Sequence, residues 1–410
     1  MTDLRTDALI IGGGLVGQTL ALALAAQEFD VTILERADAA ANLAPGVDGR
    51  VSAIASAPAR MLRLLGLGNA LDREGCPIRE IRVTDGLDHR LLSFHSAEAK
   101  PAEPLGTMME NRQLRIALLD RVRAEPRIRL LAPAELRHLD RGPAQVRAEL
   151  ADGRVILAPV AVAADGRNSM LRDQAGIRVA RWRYDARAIV SIFTHELPHD
   201  HIASEIFYPE GPFAQLPMND LPDGRHRSAM VWTVKPETAP GVLALSPRAI
   251  AHEARKRLGD CVGNIELIAP VSSFPLGLHH AERYWAQRLL LIGDAAHVIH
   301  PVAGQGLNMG LRDVAALAQV LAESARIGLD IGSPEVARRY ERWRRADNSA
   351  TAMATDGLTR LFAIPGAPAA WVRRTGLAAV NRLGPLRRGF MAVARGETGD
   401  LPPMLRGEPG

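Results

Sequence analysis

Residues 291–310 read LIGDAAHVIHPVAGQGLNMG. The apolar residues 289–292 predict a buried strand, and Gly293-Asp294 places a carboxylate just past its end, where open α/β sheets bind ligands. Pro301 and Gly304-Gln305-Gly306 follow as a loop, and apolar residues at helical spacing resume at Leu307. Small residues let backbone N–H groups approach a ligand, and a helix N-terminus favours negative charge. The pattern predicts a site for an anionic ligand; an ordinary strand-to-helix connection is the alternative.

The N-terminal region carries a second ligand-binding pattern. Residues 7–11 predict a strand, Gly12, Gly14 and Gly17 fit G-x-G-x-x-G, and an apolar helix follows. Residues 31–34 predict the next strand, which ends at Glu35. This order is the dinucleotide fingerprint, in which the turn binds a pyrophosphate and the carboxylate binds the adenosine ribose. A glycine turn in a βαβ unit that binds nothing is the alternative.

Charged residues in three other places are candidate ligand contacts. Residues 111–119 predict a helix with Asn111 as its N-cap. Arg112 then lies in the first turn, where a cation is unfavourable unless an anion is nearby, which favours a ligand role. Arg50 is either a ligand contact or a solvated cation of a polar loop. Residues 163–172 repeat the order of strand end, Asp165-Gly166 turn and helix, although Asp165 could simply stabilise the turn.

The middle of the chain has a different character. Residues 180–280 contain short β-rich runs, separated by loops rich in Pro, Asp, His and Gly. They predict an antiparallel sheet inserted between two pieces of the dinucleotide domain. Its inner face is either plain core or the lining of an apolar pocket, since pockets favour domain interfaces. The expected fold class is α/β: a Rossmann-like domain with an inserted antiparallel β-sheet domain and a C-terminal helical region.

The C-terminal region is basic and amphipathic. From residue 360 to residue 395 there are seven Arg and no Asp or Glu, interleaved with apolar residues. This pattern is typical of a helix that lies on a membrane surface. A helix that packs on the body of the protein with a solvated basic face is the alternative.

Composition excludes several classes of function. The chain has 410 residues and a net charge of +4, which gives no reason to expect nucleic acid as a partner. Cys76 and Cys261 are isolated, so we expect no metal site and a reduced, cytoplasmic setting. We expect neither a signal peptide nor a membrane span, because a strand follows the first residues and no run approaches 18 apolar residues. Peripheral attachment at the inner membrane is a further expectation from the basic region.

The three ligand-binding patterns, at about residues 12–35, 164–172 and 291–313, together resemble those of the class A flavoprotein monooxygenases, which are similar in fold to para-hydroxybenzoate hydroxylase. Within that class, residues 293–297, 300–310 and 312–314 resemble the signature of the ubiquinone-biosynthesis hydroxylases. The similarity runs from the N-terminus to nearly the C-terminus.

The resemblance implies FAD that is bound without a covalent link. The glycine turn would hold its pyrophosphate, Glu35 its adenosine ribose, Arg112 the ribityl-phosphate region, and Asp294 a ribityl hydroxyl. The loop ending at Leu307 would meet the pyrimidine side of the flavin ring, and Asp165-Gly166 would lie near both FAD and a transient NAD(P)H. The residues expected to bind the cofactor are Gly12, Gly14, Leu15, Val16, Gly17, Glu35, Arg36, Arg50, Arg112, Asp165, Gly166, Gly293, Asp294, Pro301, Gly304, Gln305, Gly306, Leu307 and Asn308.

The implied reaction is hydroxylation of an aromatic ring. NAD(P)H would reduce the flavin, O₂ would add to it, and the resulting hydroperoxide would hydroxylate a polyprenylated phenol of ubiquinone biosynthesis. Because such a substrate is held in a membrane, a membrane surface or a quinone-biosynthesis complex is the expected partner of the basic region. No catalytic residue of the protein is predicted: His297 and His300 lie in the signature but are either structural or proton-transfer groups.

The resemblance also implies a division of the chain and leaves other functions open. The expected parts are FAD-binding (1–75, 109–178 and 283–345), substrate-binding (76–108 and the β-rich 179–282) and C-terminal helical basic (346–410). A monooxygenase of a soluble phenol, or a halogenase or reductase of the same fold, would share the FAD motifs. The lysine and tryptophan motif expected of a halogenase are not found. A lipid-binding accessory subunit that keeps the flavin only as structure is the alternative outside enzymes.

Overall fold

The computed structural model describes residues 3–44, 50–87, 91–99, 102–298, 305–364, 380 and 383–409. Its strands are β1 (Leu4–Arg5), β2 (Ala8–Ile11), β3 (Val31–Leu34), β4 (Val51–Ala55), β5 (Cys76–Ile78), β6 (Glu80–Asp85), β7 (Leu91–His95), β8 (Gly106–Glu110), β9 (Ile128–Leu131), β10 (Leu136–Arg141), β11 (Val146–Leu150), β12 (Val155–Ala158), β13 (Val160–Ala163), β14 (Val179–His195), β15 (Ile202–Tyr208), β16 (Gly211–Met218), β17 (His226–Val234), β18 (Ile265–Leu267), β19 (Ser272–Ala281), β20 (Trp285–Ala286), β21 (Leu289–Leu291) and β22 (His297–Val298).

The α-helices are α1 (Leu15–Ala25), α2 (Ser56–Leu62), α3 (Gly68–Glu74), α4 (Asn111–Ala124), α5 (Met170–Gln174), α6 (Ala239–Leu243), α7 (Pro247–Leu258), α8 (Gln305–Arg326), α9 (Pro334–Ala363), α10 (Gly384–Arg395) and α11 (Pro403–Arg406). None of those helices, within the described ranges, is both long and apolar enough to cross a membrane.

A six-stranded sheet forms the centre of the Rossmann-like part. Its order is β20-β21-β13-β2-β3-β9, and every pair is parallel except the one between β20 and β21. The strands β2, β3, β13 and β21 are buried along their whole length and are apolar except at Thr32 of β3, as expected for parallel strands covered on both faces. The helices α1 and α8 pack against each other beside this sheet. The predicted α/β fold class is confirmed.

The inserted sheet has nine strands. Its main path runs β22-β19-β14-β17-β16-β15-β6-β7, with β18 also paired to β14. All of its pairs are antiparallel except that between β15 and β6, which brings in a strand from earlier in the chain. Two smaller sheets, β1-β12-β11-β10 and β4-β8-β5, complete the β structure of the described residues.

The two faces of the nine-stranded sheet have different roles because successive side chains of a strand alternate between faces. One face packs against α7, where Phe193, Phe213 and Trp232 of the sheet share a core with Ile250 and Leu258 of the helix. The other face lies against the Rossmann-like part and lines a cavity. The sheet is therefore core on one side and pocket lining on the other.

Two local predictions were wrong. The apolar residues 155–163 predict a single strand, but they form two: β12 pairs in the four-stranded sheet and β13 in the six-stranded sheet. Pro159 separates them, since it has no N–H for a ladder, and its carbonyl accepts a hydrogen bond from Arg288 Nη1 at 2.8 Å. Asn111 is not the N-cap of α4; the helix begins at Asn111 itself, whose side-chain oxygen accepts a hydrogen bond from Ser52 Oγ at 2.6 Å.

Candidate active site

The turn between β2 and α1 is built from glycines that permit close backbone contacts. Gly12 has φ +111°, and a Cβ atom there would lie 2.3 Å from the carbonyl oxygen of Ala164. A Cβ atom at Gly17 would lie 2.0 Å from the carbonyl oxygen of Gly12. By contrast, a Cβ atom at Gly14 would meet nothing within 4 Å. Gly12 and Gly17 are therefore required by close backbone packing, whereas the N-terminus of α1 at Gly14 faces open space.

Glu35 holds the glycine turn from the end of β3. Its Oε2 accepts a hydrogen bond from the Gly13 N–H at 2.8 Å, and its Oε1 accepts one from the Ala37 N–H at 2.8 Å. The adjacent Arg36 is exposed. Arg112, in the first turn of α4, donates from Nε to the carbonyl oxygen of Leu43 at 2.8 Å. The Glu35 carboxylate is thus fixed beside the turn by backbone contacts.

The Asp165-Gly166 turn follows the end of β13. Asp165 Oδ1 is buried and has no hydrogen-bond partner among the described residues. Burial raises the pKa of this carboxyl, although hydrogen bonds from Ser169 and from backbone N–H groups act in the other direction. The turn is fixed by the fully buried Arg172, whose Nη1 donates to the carbonyl oxygens of Arg167 at 3.0 Å and Ala295 at 3.2 Å. Arg172 therefore joins two of the three ligand-binding patterns.

Asp294 is presented by a tight turn after β21. Gly293 has φ +56°, and a Cβ atom there would lie 3.3 Å from the Val16 side chain. His279 Nε2 lies 2.8 Å from the Asp294 carbonyl oxygen, which can only accept, so this nitrogen carries a proton. Asp294 is exposed, but it lines the cavity, and enclosure by the surrounding protein raises the pKa of its carboxyl. The carboxylate accepts no hydrogen bond from the described residues.

A buried ionic cluster supports this turn from behind. Asp313 Oδ2 lies 2.5 Å from His297 Nε2 and accepts the Gly293 N–H at 3.0 Å. Asp313 Oδ1 accepts Arg344 Nε at 2.8 Å and Asn348 Nδ2 at 3.1 Å. Burial alone would raise the pKa of Asp313, but His297 and Arg344 hold it well below its usual range. This geometry gives His297 a structural role in the cluster; His300 lies outside the described residues.

The N-terminus of α8 completes the site. Gln305, Gly306, Leu307 and Asn308 line the cavity, and a Cβ atom at Gly306 would meet nothing within 4 Å. Asn308 fixes the helix to β4: its Oδ1 accepts the Ala55 N–H at 2.9 Å and its Nδ2 donates to the Ala53 carbonyl oxygen at 2.8 Å. The predicted contacts Pro301 and Gly304 lie outside the described residues.

The cavity between the Rossmann-like part and the nine-stranded sheet has a volume of about 820 Å³. One wall carries ten of the predicted cofactor contacts: Gly14, Leu15, Val16, Arg50, Gly166, Asp294, Gln305, Gly306, Leu307 and Asn308. The opposite wall is the free face of the sheet and is mostly apolar. Among the described residues, the predicted contacts that do not line the cavity are Gly12, Gly17, Glu35, Arg36, Arg112, Asp165 and Gly293. Of these, the three glycines, Glu35 and Asp165 belong to the turns described above.

These residues fit FAD. Two helix N-termini open towards the cavity at glycines, which suits the phosphates of a dinucleotide and a ring that carries negative charge. Asp165 Oδ1 is an unpaired buried acceptor, and the Asp294 carboxylate faces the cavity without a donor from the described chain. Hydroxyl groups of a ribityl or ribose chain are donors that such carboxylates accept. Asp165 and Asp294 therefore remain predicted contacts, and both have the acceptor oxygens that hydroxyl groups of FAD require.

The residues that hold the turns in place have no role that the sequence patterns predicted. Arg172 lies within the predicted 163–172 pattern and Asp313 within the 312–314 signature, so both had a signal in the sequence. His279 and Arg344 come from distant elements, β19 and α9, and no local pattern marks them. Long-range contacts of this kind require the fold to be known.

Known flavoproteins are similar to this chain over nearly its whole length. The family model for the FAD binding domain matches residues 5–354. The chain is 46% identical to ubiquinone hydroxylase UbiL of Rhodospirillum rubrum, covering 99% of this chain and 94% of that protein. It is 35% identical to the 3-demethoxyubiquinol 3-hydroxylase of Escherichia coli, covering 97% and 100%.

Among solved structures, PqsL of Pseudomonas aeruginosa in complex with 2-aminobenzoylacetate has the same fold. Its TM-score is 0.78 at 23% identity, covering 92% of this chain and 100% of that one. The family model covers most of the chain, and the two hydroxylases are similar to it over nearly its whole length. The chain therefore belongs to the FAD-binding-domain family of flavoprotein monooxygenases, within the branch that contains the ubiquinone-biosynthesis hydroxylases.

Proposed function

We propose that this protein is an FAD- and NAD(P)H-dependent monooxygenase that uses O₂ to hydroxylate the aromatic ring of a polyprenylated phenol in ubiquinone biosynthesis. The observation that carries the proposal is the cavity of about 820 Å³, which has predicted FAD contacts on one wall and an apolar sheet on the other. The names of two similar proteins, ubiquinone hydroxylase and 3-demethoxyubiquinol 3-hydroxylase, support the substrate class.

The protein's own residues would contribute binding, charge stabilisation and exclusion of water. Bound FAD, reduced by NAD(P)H, supplies activated oxygen from O₂. The open turn at Gly14 suits its pyrophosphate, and the N-terminus of α8 at Gln305 and Gly306 suits negative charge on the flavin ring. No second Rossmann pattern was found in the sequence, which supports a nicotinamide that binds only transiently.

The apolar wall suits a phenol with a prenyl chain. Its lining includes Val83, Val190, Phe207, Leu216 and Phe274. Apolar side chains favour burial of a prenyl group and exclude water from the reacting ring. The proposed substrate-binding parts, 76–108 and 179–282, contain all of these residues.

The substrate must also reach the cavity from a membrane, and we assign this step to α10. Met391 on its inner face is buried, and Ala394 lines the cavity. Leu383, Phe390 and Val393 are exposed on the outside, at 51%, 45% and 36%. A helix with one face on the cavity and an apolar face outside suits contact with an anionic membrane surface, with a quinone-biosynthesis complex as the competing partner.

The test is a turnover assay with the purified protein. Its FAD should be released on denaturation, and addition of a phenol with one isoprenyl group should stimulate NAD(P)H oxidation and yield a product heavier by one oxygen atom. Asp294→Ala is expected to lose flavin and activity while the fold persists. NAD(P)H oxidation that yields hydrogen peroxide and no hydroxylated product with any prenylphenol would contradict the proposal. Mass spectrometry of quinone intermediates in a deletion strain would identify the natural substrate.

A further inference from the structure

Glu205 is a carboxylate in the apolar wall of the cavity. It lies in the middle of β15, and its register partners are Val83 of β6 and Ala214 of β16. The same row continues across the sheet through Val231 of β17 and Val190 of β14. All five residues line the cavity. Glu205 therefore interrupts a row of small and branched apolar side chains on the face that the substrate would contact.

The Glu205 carboxylate has no structural partner within the described part of the chain. No hydrogen bond or ion pair connects it to a described residue, and its pKa is raised to about 7 by burial alone. A structural carboxylate in an apolar wall is normally paired, because leaving it unpaired is costly. An unpaired carboxylate whose pKa lies near neutrality, inside a cavity, is typical of an acid–base group.

The charged groups around Glu205 leave it isolated. On β6, Arg82 pairs with Glu80 on the opposite face of the sheet, and β16 carries no titratable side chain. Across the cavity, the described charged residues are Arg50, Arg115, Arg167 and Asp294, all of which belong to the cofactor side. The α9 helix also packs near β15, and its Asp356 and Arg360 lie outside the described side chains. No described charge lies close enough to Glu205 to contribute to its pKa.

We infer that Glu205 is a catalytic residue that accepts the hydroxyl proton of the phenol substrate. The inference rests on the proposed function and names the proton acceptor that the sequence left unassigned. Glu205 lies on the wall opposite the predicted flavin contacts, so a phenol ring between the walls would present its hydroxyl group to one side and its reacting carbon to the other.

The proposed step balances in protons and electrons. The phenol O–H bond breaks, its electron pair stays on the phenolate oxygen, and a new O–H bond forms on the Glu205 carboxylate. The more electron-rich ring then takes up the oxygen atom as an OH⁺ equivalent, which gives a hydroxylated dienone. Loss of the ring proton to solvent, with return of the proton from Glu205 to the dienone oxygen, restores the aromatic ring and the carboxylate.

The test compares Glu205→Gln with Glu205→Asp in the FAD-loaded enzyme. The probe is a phenol with one isoprenyl group, and the readouts are hydroxylated product against pH and the difference spectrum of the bound phenol. General-base catalysis is worth on the order of 10²–10⁴-fold in rate, so Glu205→Gln should lower kcat by at least about 10²-fold. The kcat/KM of the wild type should increase as the pH rises through about 7, because Glu205 must be ionised to act as a base.

The variants separate a catalytic role from a structural one. Glu205→Asp should keep the rise with pH at a reduced rate, whereas Glu205→Gln should lose it and bind the phenol without a phenolate spectrum. Glu210→Gln, the same change at an exposed residue of the β15–β16 hairpin, should match the wild type. Wild-type kcat and pH profile in Glu205→Gln, with FAD content unchanged, would overturn the inference and leave the proposed function intact. Failure of the wild type to hydroxylate any prenylphenol would overturn both.

Discussion

At the scale of single residues, three carboxylates of the site differ in what surrounds them. Glu35 accepts two backbone N–H groups, Asp294 lines the cavity on the cofactor side, and Glu205 lines it on the sheet side. The pKa values of Asp294 and Glu205 are raised because the protein encloses them. The neighbours of each carboxylate thus set its role: Glu35 fixes a turn, Asp294 is a predicted cofactor contact, and Glu205 is the proposed base.

Replacement of Glu35 by Ala should weaken FAD binding. The change removes the acceptor of the Gly13 N–H and the predicted partner of the adenosine ribose. Loss of a hydrogen-bonded charge costs about 1.5–3 kcal/mol, or roughly a 10- to 100-fold higher Kd for FAD. Titration of the apoprotein with FAD, followed by flavin fluorescence, measures this Kd. Asp38→Ala, at an exposed carboxylate of the same loop, is the control, and an equal Kd in both variants would remove Glu35 from the site.

The sequence predicted some of these residues and not others for a physical reason. Glu35 was found because the glycine turn, the helix and the strand end form one local pattern of the dinucleotide fold. Glu205 was not, because an acid within β15 would ordinarily be placed on a solvent face. Only the pairing of β15 with β6 and β16 places it on an enclosed wall.

At the scale of elements, the prediction was most accurate where local pattern decides structure. Residues 31–34 were predicted as a strand and form β3, and residues 289–292 were predicted as a strand and contain β21. The division of residues 155–163 between two sheets was missed because both halves are apolar and strand-forming. Which sheet a strand joins depends on long-range pairing, which the apolar pattern does not specify.

The buried cluster of Asp313 links the turn after β21 to β22, α8 and α9, and its loss should destabilise the protein. Asp313→Asn would leave His297 and Arg344 without their carboxylate, a change of about 3–5 kcal/mol in the free energy of unfolding. Chemical denaturation measures this value, and Asp120→Asn, at an exposed position of α4, should stay within about 0.5 kcal/mol of the wild type. The variant should also bind FAD more weakly, because the Asn amide offers a single oxygen to donors that meet two oxygens of Asp313, among them the Gly293 N–H.

The loss of stability in Asp313→Asn should depend on pH, and the direction of this dependence follows from the pKa of Asp313. The pKa of Asp313 is lower in the folded protein than in the unfolded chain, so its contribution is present above its ordinary pKa of about 4 and decreases as the pH falls through the folded value. The difference in unfolding free energy between the wild type and Asp313→Asn should therefore be largest near neutral pH and shrink in acid. A difference that grows as the pH falls below 4 would contradict the assigned charge state.

At the scale of the whole molecule, the C-terminal region differs from the uniform basic surface that its sequence suggested. Arg387 pairs with Glu98 at 2.5 Å, and the buried Arg395 pairs with Glu103 at 2.5 Å and with Glu397 at 3.0 Å. These acids lie outside the 360–395 region, so its composition alone overstates the free charge. Arg388 is exposed on the same helix, as are the apolar residues Phe390 and Val393. Arg373 and Arg374 lie outside the described residues.

This arrangement predicts that apolar contacts, more than charge, attach α10 to a membrane. In liposome flotation, the protein should bind vesicles that contain anionic lipid, and binding should fall with salt because each Arg near the surface contributes about 1 kcal/mol. Phe390→Ser with Val393→Ser should reduce binding at least about tenfold, since burial of one large apolar side chain contributes about 1.5–3 kcal/mol. Arg388→Gln should remove only part of the salt-sensitive binding.

Ile327→Ser, at a site 72% exposed and outside α10, is the matched control. If the double variant floats as well as this control, α10 does not dock on lipid; if no variant floats, a partner protein must deliver the substrate to the cavity.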